Sequence, residues 1–180
     1  MKPVLLIGLV LVLATNAWAH RLDEYLQATR VAVATNRVDL SIELTPGVAV
    51  ADQVLAVIDK NGDGRVCDEE SAAYAQRVLK DMQIELDEKL LTWDQADTSF
   101  PALEDVKKGE GVIRIKAFAA VGPLVGGNYA LTLTNAHLPA ISVYLVNALS
   151  PKDRAIKITK QTRDEHQRNY RLALRVSPPS

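Results

Sequence analysis

The chain has a single cysteine, Cys67, so no internal disulfide can form and stability has to come from a hydrophobic core. That thiol has two readings, a buried small residue or a free group able to cross-link two chains. Charge of one sign is also missing. Lys and Arg number 21 against 22 Asp and Glu, with no long run of either. That balance argues against a nucleic-acid binder and against a polybasic membrane surface. Beyond the first 19 residues no apolar stretch is long enough to cross a bilayer. Catalytic motifs are lacking as well: there is no G-x-S-x-G, no H-E-x-x-H, no P-loop and no Cys–His pair with nucleophile spacing. The adjacent carboxylates Asp23-Glu24, Asp68-Glu69 and Glu104-Asp105 would face opposite ways on a strand and read as solvated surface. Ser71 and Ser142 have no base beside them. The chain is read as a non-enzyme, with no internal repeat or low-complexity segment.

What is present begins with a signal peptide over residues 1–19. Lys2 supplies the positive start, Val4 to Ala14 the apolar run, and Ala17-Trp18-Ala19 the small-residue cleavage site. No cysteine follows for lipid attachment, so the mature chain would run free from His20 to Ser180, periplasmic or secreted. It is long enough for one domain with its own core and makes no stable membrane insertion once the signal is cleaved.

The densest pattern runs from Asp59 to Glu70, Asp-Lys-Asn-Gly-Asp-Gly-Arg-Val-Cys-Asp-Glu-Glu. Asp59, Asn61 and Asp63 alternate, so three side-chain oxygens can converge on one side of a tight turn. Gly64 stands where the backbone bends sharply. The segment matches D-x-[DN]-x-[DN]-G-x5-E at every fixed position and resembles an EF-hand calcium loop. The resemblance implies Ca2+ held by Asp59, Asn61, Asp63 and Glu70 side chains and the Arg65 carbonyl. Cys67 holds the slot that acts through water, where a thiol is a poor calcium ligand. Val66 would tie the loop to the domain. Before the loop Val50, Val54, Leu55 and Ile58 recur at helical spacing; after it Ala72, Ala75, Val78, Leu79 and Met82 do the same. Asp68 and Glu69 fall in the first turn of the second helix, where negative charge suits the dipole. No second hand follows: the segment near Asp94 and Asp97 lacks the central Gly and the closing Glu.

The rest of the mature chain reads as strands. Tyr25, Thr29, Val31 and Val33 alternate on one face, and Thr35-Asn36-Arg37 forms a hairpin turn before Val38, Leu40, Ile42 and Leu44 alternate in turn. Further strands are expected at Ile84–Leu86, Leu90–Thr92, Ile113–Ala117, Tyr129–Leu133, Ile141–Leu145, Ile156–Ile158 and Tyr170–Val176, with Asp94 to Gly111 polar and irregular. The expected fold is mainly β: a β-sandwich of about eight strands over residues 20–180, carrying an EF-hand insertion at about 48–82.

Three stretches, His20-Arg21-Leu22-Asp23-Glu24-Tyr25-Leu26-Gln27-Ala28-Thr29, Leu44-Thr45-Pro46-Gly47-Val48 and Ser142-Val143-Tyr144-Leu145-Val146-Asn147-Ala148, are similar to an exported module, the extracytoplasmic part of HupE/UreJ-type membrane proteins. That resemblance brings no assigned chemistry. Two further function classes stand beside calcium binding. His20, if it begins the mature chain, offers an amine and an imidazole to copper, with His137 or His166 as a third nitrogen. Alternatively the domain docks on a membrane partner at the cell envelope through an exposed apolar patch.

Overall fold

The computed structural model describes residues 23–178. The expected signal peptide over residues 1–19 and the candidate copper ligand His20 lie outside the described residues. Among the described residues the fold is mainly β, with ten strands in two five-stranded sheets and few helices. Strand order is β5 (Gln95–Ser99), β6 (Ile113–Ala120), β2 (Arg37–Pro46), β1 (Tyr25–Val33), β8 (Ser142–Ala148) in the first sheet and β4 (Lys89–Leu90), β3 (Met82–Leu86), β7 (Gly127–Asn135), β10 (Asn169–Val176), β9 (Ile156–Arg163) in the second.

The first hairpin follows its alternation. β1 (Tyr25–Val33) and β2 (Arg37–Pro46) pair antiparallel from Tyr25↔Pro46 to Val33↔Val38, and the Ala34 N–H closes the turn on the Arg37 carbonyl at 2.9 Å. Val38, Leu40, Ile42 and Leu44 are buried on one face of β2 while its polar residues stay half-exposed. Gln27 and Thr29 are the polar side chains at inward positions of β1, both buried, Gln27 completely.

The helical insertion connects the sheets. β2 ends at Pro46, a single 3-10 turn (Val48–Val50) follows, then α1 (Ala51–Ile58), the loop, and α2 (Asp68–Asp81). β3 (Met82–Leu86) starts the second sheet directly after α2. Val54, Leu55 and Ile58 of α1 and Tyr74, Ala75, Val78 and Leu79 of α2 are buried, and most join one core cluster with residues from both sheets. Each fully buried aliphatic side chain there contributes about 1.5–3 kcal/mol of burial free energy. Met82 is buried but opens β3 rather than closing the helix, and Ala72 is exposed.

The remaining strands are β4 (Lys89–Leu90), β5 (Gln95–Ser99), β6 (Ile113–Ala120), β7 (Gly127–Asn135), β8 (Ser142–Ala148), β9 (Ile156–Arg163) and β10 (Asn169–Val176). β5 lies inside the stretch expected to be irregular, and a short helix α3 (Leu103–Lys107) follows it. As an edge strand bonded only to β6, β5 needs no alternating apolar face, so periodicity does not announce it. β8 corrects a face assignment. Ile141, Val143 and Leu145 alternate in sequence, yet Tyr144 and Val146 are the buried pair and Leu145 is 44% exposed. Both parities of this run are apolar, and the parallel pairing of β8 with β1, Gln27 opposite Tyr144, decides between them.

Candidate metal centre and the buried cluster behind it

The candidate loop is built by its own backbone. α1 stops at Ile58, and the Asp59 N–H still donates to the Leu55 carbonyl at 2.8 Å. The chain then turns through Gly62 and Gly64, at φ of +71° and +78°. That left-handed region favours glycine, and nothing lies within 4 Å of a Cβ added at either. The positive φ, not crowding, is what calls for glycine there.

The side chains named from the pattern turn into this loop. Asp59 accepts from the backbone N–H groups of Gly62 at 2.7 Å, Asp63 at 3.2 Å and Gly64 at 2.9 Å. The Asn61 side-chain carbonyl accepts from the Asp63 N–H at 2.9 Å, and its amide donates to the Asp63 carboxylate at 3.1 Å. Asp63 also accepts from the Arg65 N–H at 2.9 Å. Glu70, in the first turn of α2, reaches back across the loop to accept from Lys60 at 2.8 Å and Asn61 at 3.3 Å, and its second oxygen accepts from Cys67 at 3.2 Å. The last bond forms a capping box with Cys67 at the N-cap. These donors hold the Glu70 carboxyl below its usual range: the Cys67 N–H contributes most, desolvation opposes it, and the smaller effects of Lys60 and Asn61 add to the lowering.

The loop is exposed apart from partly buried Asp59, Val66 and Glu70, and Val66 packs against the core. Asp59, Asn61, Asp63 and Glu70 are thus brought to one short segment, with Arg65 exposed beside them. Their oxygens engage backbone amides, and among the described residues no three His, Cys, Asp or Glu side chains are gathered as a metal-holding group. The donor set is all oxygen with three carboxylates, which suits a hard cation; its turns would have to exchange amide bonds for an ion. Cys67 is exposed and free, which removes the reading of a buried small residue. The Glu70 backbone N–H favours its thiolate, but the Glu69 and Glu70 side chains and desolvation outweigh it, so the thiol pKa is raised.

Behind the loop lies a group that sequence reasoning missed. His137, between β7 and β8, is fully buried. Its Nδ1 is 2.8 Å from an Asp81 carboxylate oxygen at the end of α2, and its Nε2 is 3.2 Å from the Tyr74 hydroxyl one turn beyond Glu70. The Tyr74 hydroxyl meets the Tyr25 hydroxyl of β1 at 2.5 Å. The His137 carbonyl accepts from Gln27 and from the Tyr144 hydroxyl, both at 2.9 Å, and its N–H donates to the Asn135 side chain at 2.9 Å. Asn135 in turn donates to Gln27 at 3.0 Å. The next residue, Leu138, sits at φ +45°, a conformation costing a side-chain-bearing residue on the order of 1–3 kcal/mol. The bonds converging on His137 hold it there. Burial lowers the imidazole pKa, opposed by the hydrogen bond and charge of Asp81. Burial also raises Tyr25 well above the usual phenol range, with neighbouring Tyr74 adding to the effect. Two features of the sequence could have found this group: Gln27 has the inward parity of Tyr25 and Val31 on β1, and Tyr74 lies four residues before Val78 on α2.

Both ring nitrogens of His137 are therefore engaged inside the protein and not open to a surface copper ion; His166 is exposed. The candidate serines are engaged too: Ser71 pairs with Thr98 at 2.6 Å, and Ser142 donates to the Leu138 carbonyl at 2.8 Å. No family model, no curated protein and no solved structure matches this chain. Among the described residues, no helix is long and apolar enough to cross a membrane.

Proposed function

We propose that the protein is an exported calcium-binding module: a β-sandwich whose two sheets are joined by a single EF-hand. Asp59, Asn61, Asp63 and Glu70 supply side-chain oxygens, Arg65 its carbonyl, and a water stands at the Cys67 position. The observation that carries this reading is Glu70 reaching back from α2 to the Lys60 and Asn61 amides, so that the closing carboxylate already faces the start of the loop. Calcium would replace amide hydrogens as the partner of those oxygens and tie α1 to α2. The role is structural more than sensory, because both helices are built into the common core. An affinity of ~0.1–1 mM, ordinary for extracellular modules, fits one hand whose ninth position offers no side-chain oxygen.

The test is calorimetric calcium titration of the exported protein beside Glu70→Gln. One-to-one binding in the wild type that disappears in the variant supports the reading. No heat and no thermal shift at several millimolar calcium would overturn it.

A further inference from the structure

The polar cluster at His137 has a direction. The Asp81 carboxylate can only accept, so Nδ1 carries the proton it receives. In a neutral ring Nε2 then has a lone pair, and Tyr74 must donate to it. The Tyr74 oxygen is left to accept from Tyr25. Every proton in the row is placed, and among the described residues no buried side-chain polar atom lacks a partner.

A second proton on the ring undoes this order. Nε2–H would have to donate to Tyr74, Tyr74 would have to turn its hydrogen toward Tyr25, and the Tyr25 hydroxyl is fully buried with no other acceptor among the bonds it makes. An unpaired buried donor is costly. The groups facing the ring are Asp81, Arg77 and Tyr74 from α2 and Tyr25 from β1; Tyr144 of β8 donates to the His137 carbonyl instead, with Arg168 beyond it. Asp81 alone favours the imidazolium, and its side chain is 34% exposed, so water screens it.

We propose that His137 is a proton-operated latch on the exit helix of the loop: its neutral form pins α2 to the sheets at Tyr74 and Asp81, and protonation loosens α2 at Tyr74, one turn beyond Glu70, disturbs the Glu70 bonds to Lys60 and Asn61, and weakens calcium binding. The calcium clause rests on the function proposed above; the latch itself does not. The sign follows from burial, which depresses the folded-state pKa of the ring. The unfolded chain takes up the proton first as pH falls below the ordinary imidazole value of about 6.5, so stability is whole above that value and is lost as pH falls toward the folded one. By reciprocity, calcium makes His137 harder to protonate.

The experiment uses the full purified chain, wild type and His137→Gln, titrated with calcium at pH 7.5 and pH 5.5. At the same time the His137 ring protons are followed by NMR. Wild-type affinity should fall at least about fivefold, the low end of ordinary coupling between sites, with a midpoint that tracks the His137 titration. The variant should change little, since it has no imidazole to protonate. An equal fall in both proteins, or none in the wild type, overturns the coupling. If no calcium binds at pH 7.5, the function proposal fails and the latch is judged on the calcium-free protein. There, amide protection in α2, taken relative to the intrinsic exchange rate at each pH, must fall on acidification in the wild type and not in the variant; unchanged protection overturns it. Should His137→Gln fail to fold, Asp81→Asn replaces it. Losing the carboxylate must shift the His137 titration to lower pH and the α2 transition with it; an unmoved transition overturns the latch.

Discussion

Replacing Tyr74 by Phe tests the proton order of the buried cluster at neutral pH, without calcium. The change removes one hydroxyl from a side chain that is 2% exposed and leaves the ring packed where it was. Two groups lose their partner: the Tyr25 hydroxyl its acceptor and His137 Nε2 its donor. Each unsatisfied buried group costs about 1–3 kcal/mol, so Tyr74→Phe should destabilise by roughly 2–6 kcal/mol. For a chain of this size that is a fall in Tm of roughly 5–20 °C. Tyr25→Phe is different. Tyr74 still donates to His137 and only its accepting lone pair is vacated, so the loss is roughly 0.5–1.5 kcal/mol, that of one ordinary hydrogen bond. The double variant should then be more stable than Tyr74→Phe alone by about 1 kcal/mol, because the stranded Tyr25 hydroxyl has been removed as well. Urea unfolding at pH 7.5 in the presence of a chelator measures all three. Equal losses for the two single variants, or strictly additive losses in the double, would refute the assigned direction of the protons.

Saturating the proposed calcium site should stabilise the protein. With free calcium at about 10–100 times Kd the gain is roughly 1.4–2.7 kcal/mol, a Tm rise of about 3–10 °C that differential scanning calorimetry detects and Glu70→Gln should lack. Cys67 is exposed, so one equivalent of a thiol reagent should react with the native protein, more slowly at pH 7.5 than with a free cysteine; Glu69→Gln should speed it. Gly111→Ala places a Cβ 2.7 Å from the Val106 backbone nitrogen and 2.9 Å from the Pro101 ring, and thermal unfolding should register a loss of roughly 1–3 kcal/mol.

Much of the architecture was legible along the chain. β1, β2, β6, β7 and β10 each bury the face that their alternation marks, because a half-buried strand writes its inner side at every second residue. The helix pair between Pro46 and Met82 was legible for the same reason at helical spacing. β5 was not, since an edge strand has little to bury. Nor was the face of β8, where apolar residues occupy both parities and only the neighbouring strand chooses.

The candidate site divides along the same line. Asp59, Asn61, Asp63, Gly64 and Glu70 lie within twelve residues, so their meeting is a local matter of turn geometry and the sequence by itself determined it. His137, Tyr25, Tyr74 and Asp81 span more than a hundred residues of chain. Nothing in the residues around His137 distinguishes a turn histidine from a buried one. Only the tertiary structure decided it, by laying the β7–β8 connection, the inner face of β1 and one side of α2 against each other. A polar group can be buried only where partners arrive from all sides, and those partners are set by topology rather than by sequence neighbours.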